Sequence, residues 1–77
     1  MPHIDIKAFP RELTEQQKSE LAAEMTQLMQ KYLQSREGSV SVALSFVPQE
    51  QWKTTVWETE IAPQLETLIK QPDYRMS

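Results

Sequence analysis

The chain opens Met1-Pro2-His3-Ile4-Asp5-Ile6-Lys7-Ala8-Phe9, and the residue in that stretch whose type can do chemistry is Pro2. Methionine aminopeptidase acts readily when the second residue is small, and proline qualifies. Trimming there turns the Pro2 nitrogen from an amide, which has no basic lone pair, into a free secondary amine. An α-amino group titrates near about 8, and a proline amine lies above that. Seating the amine in an apolar pocket disfavours its charged form and brings the pKa toward neutrality, the condition an efficient general base needs. Met-Pro also starts many strands with no chemistry attached, so the dipeptide alone decides nothing.

Few other residues compete for a chemical role. Arg11, taken alone, reads as a solvated loop cation, and His3 as a surface or structural residue ahead of a catalytic one. Trp57 suits packing or an interface before substrate contact, and the Glu58/Glu60 pair a solvated helix entrance. With no cysteine, one histidine and scattered carboxylates, neither a disulfide framework nor a metal site is indicated. No cofactor is expected.

The element that must position Pro2 is a strand. Pro2, Ile4, Ile6 and Ala8 share one face by the period of two, leaving the terminal nitrogen at the end of an apolar row. Pro10-Arg11-Glu12 turns the chain, because proline has no ladder donor. Thr14-Glu15-Gln16-Gln17 fits a capping box. Beyond it Leu21, Met25, Leu28, Met29, Tyr32 and Leu33 recur at intervals of three and four, predicting an amphipathic helix over 15–34. Gly38 can supply a left-handed turn after it. Val40, Val42, Leu44 and Phe46 then alternate as a half-buried strand closed by Pro48.

The remainder predicts a turn of helix over 49–52, an extended segment over 54–57 and a second helix over 59–70, with Pro63 in its first turn. The tail, 72–77, is expected to be loose, with Tyr74 its one anchor. The fold class is therefore α/β: a β-α-β unit with a parallel strand pair and a second, C-terminal helix.

Seventy-seven residues make one domain, 1–77, with little interior. Two parallel strands under one helix leave two open edges and too little core. Pairing two copies edge to edge gives a four-stranded sheet covered by helices, so a homodimer is expected. A net charge of -3 with mixed signs and no basic cluster argues against nucleic acid. No run approaches membrane-spanning length and no leader-like start is visible, which predicts a cytoplasmic protein.

With those elements in place, the chain resembles the 4-oxalocrotonate tautomerase superfamily, and within it the dimeric bacterial branch related to phenylpyruvate enol tautomerases. The resemblance is carried by Met1-Pro2 and the Ile4/Ile6 strand, Arg11 at its exit, Thr14-Glu15-Gln16-Gln17-Lys18 and Ser39-Val40-Ser41-Val42. Trp57-Glu58-Thr59-Glu60-Ile61-Ala62-Pro63-Gln64 is similar to that branch's carboxy-terminal region.

The resemblance implies a cofactor-independent enol/keto tautomerase in which Pro2 is the general base, Arg11 holds a substrate carboxylate and Trp52 forms an aromatic pocket wall. The turn carrying Arg11 has an extra residue relative to the family. Ser41 stands where hexameric members use a second arginine, so a small 2-hydroxyacrylate, the aromatic enol of a 2-oxo acid, fits better than a doubly carboxylated dienoate. No carboxylate matches the position that activates water in hydrolytic dehalogenases. The competing reading is a non-catalytic dimeric ligand-binding or interaction module retaining the same fold, with Pro2 merely starting a strand.

Overall fold

Alternation of apolar and polar residues produces β1 (His3–Ala8), and a capped amphipathic run produces α1 (Glu15–Leu33). They are followed by β2 (Ser41–Phe46), the short α2 (Gln49–Trp52) and further helical turns over Lys53–Ile61 and Ala62–Thr67. The computed structural model describes every residue from Met1 to Ser77 and divides into two compact units, Met1–Phe46 and Val47–Ser77. No helix is long and apolar enough to cross a membrane.

In the first unit, β1 and β2 pair in parallel, with His3 opposite Ser41 and Ala8 opposite Phe46. This is the β-α-β unit read from the sequence. The register puts Ile4, Ile6 and Ala8 on one face with Val42, Leu44 and Phe46, and His3, Asp5 and Lys7 on the other with Ser41, Ala43 and Ser45. On the polar face the Lys7 ammonium donates to the Asp5 carboxylate at 2.6 Å. That hydrogen bond holds the Asp5 carboxyl below the ordinary carboxylate range.

α1 begins as predicted. The Thr14 hydroxyl accepts from the Gln17 N–H at 3.0 Å, and the Gln17 side-chain carbonyl accepts from the Thr14 N–H at 2.9 Å. Its end differs from expectation. Gln34 takes the left-handed conformation (φ 51°, ψ 35°), with its N–H and that of Ser35 both directed at the Met29 carbonyl. Gly38 has no positive φ and lies in a single tight turn, Glu37–Ser39. The chain reverses at the helix terminus itself, so the flexibility of Gly38 is not used for that purpose.

The second unit departs further. Residues 54–57 are helical, not extended, in a widened stretch where the Ala62 N–H reaches the Trp57 carbonyl, an i→i+5 bond. Val56 and Trp57, adjacent in sequence, are both buried there, and that burial overrides the strand preference of their types. Pro63 has no N–H to offer a carbonyl one turn back. Around it the helix tightens over Ala62–Thr67 and breaks locally at Gln64 (φ −129°, ψ 29°).

Side chains supply donors along this irregular path: Thr54 to the Gln51 carbonyl, Thr59 to Thr55, Gln64 to Glu60 and Thr67 to Gln64. Leu68 is extended and Ile69 fully exposed, so the expected helix to residue 70 stops at Thr67. The tail is not loose, since Tyr74 and Ser77 both bond back to residues of this unit.

Candidate active site

Parallel pairing starts at His3, which puts Pro2 immediately ahead of the first ladder position. Pro2 is half-buried, and its carbonyl accepts from the Ser41 N–H at 3.2 Å. Met1, ahead of it, is fully exposed. Alongside lies a contact that local sequence reading missed: His3 Nδ1 and Ser41 Oγ share a hydrogen bond at 2.6 Å, with the donor set by the histidine tautomer. The two residues are directly opposed in the register. Ser41 thus brings a neutral hydroxyl already engaged by an imidazole to the Pro2 end of the sheet.

Arg11 lies beyond the other end of β1. With Glu12, Leu13, Thr14, Lys18 and Phe46 it lines an open depression of about 470 Å³ at the start of α1. Lys18, paired with Glu15 at 3.8 Å, and the N-terminus of the helix add positive charge there, with Glu12 opposing them. A strand the length of β1 spans about 17 Å, with Pro2 before it and Arg11 after it. A small molecule of a few heavy atoms cannot touch both within one chain. The structure therefore leaves the two sequence-predicted site residues of this unit at opposite ends of the sheet.

Trp52, the third, ends α2 in the second unit. Its indole Nε1–H donates to the Tyr74 hydroxyl at 3.0 Å. The Tyr74 ring also packs against Trp57, centroids 5.4 Å apart at a 40° tilt. Trp57 is only 5% exposed, which makes it a packing residue. Two tryptophans five positions apart would splay on a regular α-helix, whereas wider turns bring them round to a common partner. No group of three His, Cys, Asp or Glu side chains is placed to hold a metal ion.

Comparison with known proteins places the whole chain in a family. Residues 2–55 match the sequence model of the tautomerase enzyme family, a match that begins on Pro2. A protein of Cronobacter sakazakii described as Tautomerase PptA is 60% identical over 76 residues, covering 99% of this chain and all of the relative. Proteins of the same description from Escherichia coli strain SMS-3-5 and from Klebsiella pneumoniae are 57% and 55% identical over the same length, with the same coverage. The chain belongs to the tautomerase enzyme family and is an isomerase of the 4-oxalocrotonate tautomerase superfamily, on its phenylpyruvate tautomerase-like bacterial branch.

Proposed function

We propose that this tautomerase ketonises aromatic 2-hydroxyacrylates, the enols of 2-oxo acids, with the Pro2 amine exposed by loss of Met1 as its general base. The observation that carries the reading is the setting of Pro2: half-buried at the head of β1, with the neighbouring Met1 fully exposed and the family match starting on Pro2 itself. In the reaction the Pro2 nitrogen takes the enol hydroxyl proton and the oxygen electrons close the carbonyl. The former double-bond pair then takes a proton at carbon from the prolinium. Proton count and charge balance over the cycle, and no external oxidant or cofactor enters it.

Arg11, exposed at the mouth of its depression, holds the substrate carboxylate through a guanidinium fork. Because Pro2 and Arg11 lie at opposite ends of β1, a site containing both takes them from two copies. Two-fold pairing of sheet edges runs the partner's strands antiparallel and brings its Arg11 end to the Pro2 end of the first copy.

Surface area favours the same homodimer. The chain exposes 6192 Å², against about 4,900 Å² for a folded monomer of this mass. The excess exceeds the roughly 800 Å² that each partner contributes to a standard interface. The single 77-residue domain would thus work as a cytoplasmic dimer whose aromatic wall is Trp52. Ser41 in place of a cation disfavours a second carboxylate on the substrate.

The test is the ultraviolet decay of phenylenolpyruvate beside a 2-hydroxydienedioate, with light scattering on the same sample. Fast ketonisation of the aromatic enol by a dimer supports the proposal. Preference for the dienedioate, or full activity in a monomer, contradicts it.

A further inference from the structure

We infer that Tyr74 is a positioning residue for the Trp52 indole, so that the C-terminal tail fixes the aromatic wall of the site. The inference rests on the reading of Trp52 as that wall. Trp52 is the last residue of α2, where regular turns give way to the widened ones. A large side chain at such a junction can occupy several rotamers, and a binding wall needs one.

The single N–H of the indole donates to the Tyr74 hydroxyl at 3.0 Å, which ties the far edge of the ring system. Tyr74 is itself held. Its ring lies on Trp57 at 5.4 Å, and Trp57 is among the most buried side chains of the protein. The order of support runs from buried Trp57 to Tyr74 to half-buried Trp52.

The backbone around Tyr74 is fastened as well. The Arg75 guanidinium donates to the Pro72 and Tyr74 carbonyls at 3.0 and 2.8 Å, closing the turn that presents the ring. The Lys53 ammonium, next to Trp52, donates to the Ser77 carbonyl. A tail with no element of regular structure is thereby attached at Tyr74 and again at Ser77.

Tyr74→Phe keeps the ring on Trp57 and removes only the acceptor. In the full chain with Met1 removed, the KM for phenylenolpyruvate should rise about 3- to 10-fold with kcat within about twofold, the pattern of lost uniform binding. In a Trp52→Phe background, which has no N–H to orient, Tyr74→Phe should change KM no further. An increase that persists in that background would mean the tail acts by general stability, and would overturn the inference.

Trp52→Ala separates the two levels. If it raises KM while Tyr74→Phe does not, the wall stands and Tyr74 does not position it. If Trp52→Ala leaves KM unchanged, the wall reading fails and this inference with it. A measurement on the unsubstituted protein covers the case in which Tyr74→Phe does not fold: the Trp52 indole proton should exchange with solvent much more slowly than a free indole, and rapid exchange would overturn the inference.

Discussion

The two units of this protein solve opposite problems. Met1–Phe46 is built from regular, locally signalled elements, yet none of its side chains is buried and Leu28, Tyr32 and Leu33 of α1 stand exposed. Val47–Ser77 is irregular, with widened turns, tight turns and a tail, yet it holds all three buried residues, Val47, Val56 and Trp57. Regular hydrogen bonding and a closed core are therefore separate achievements in this chain. The first unit carries Pro2 and leaves apolar positions of α1 exposed, and the second holds the buried residues.

Substitutions can break or sharpen that contrast. Trp57→Ala should have the largest effect, a loss of about 3–5 kcal/mol in urea or thermal unfolding, because it empties the aromatic core of the second unit. Leu33→Ala, at a position 59% exposed, should by contrast change the stability of an isolated chain by less than about 0.5 kcal/mol. A loss at Leu33 as large as that at Trp57, growing with protein concentration, would mean that the α1 stripe is covered in solution.

Thr14→Ala removes one half of a reciprocal cap and should lower stability by about 1 kcal/mol, read as a shift in denaturant midpoint. Gln34→Gly relieves a left-handed glutamine and should raise stability by about 0.5–1 kcal/mol. Gly38→Ala should be close to neutral, since the nearest atom to an added Cβ is the Arg36 Nη1 at 3.4 Å.

Asp5→Asn should have a small effect that depends on pH. The carboxyl of Asp5 is depressed by its hydrogen bond to Lys7, so its stabilisation is present above the unfolded carboxylate value and is lost as pH falls through the folded one. Melting curves of the wild type and Asp5→Asn should differ slightly at neutral pH and converge in acid. A difference that grows in acid would contradict the assignment.

The first unit was legible because its signals are local. The Ile4/Ile6 alternation, the Thr14/Gln17 cap and the Val42/Leu44/Phe46 row each specify an element, and element order specifies a parallel pair. The second unit was misread over 54–57 because Thr, Val and Trp fit a strand as isolated types. Their helical state comes from burial of consecutive residues and from hydroxyl bonds to backbone carbonyls. The left-handed residue was misplaced for a similar reason: Gly38 is the permissive type, but Gln34 is where the helix stops.

Of the candidate site, Pro2 and Arg11 are visible by type, and the length of β1 already implies that they lie apart. The His3–Ser41 and Trp52–Tyr74 contacts join residues 38 and 22 positions apart and follow from register and tertiary packing, which no local pattern encodes.

The central claim, that the Pro2 amine moves the proton, is tested most directly by the rate of phenylenolpyruvate ketonisation for wild type and Pro2→Ala, with intact mass showing Met1 absent from both. A fall of about 10²-fold is expected, the low end of a general base's contribution because alanine still leaves a primary amine. Dimer size should be unchanged. A Pro2→Ala rate within about twofold of wild type would contradict the account and place the base elsewhere.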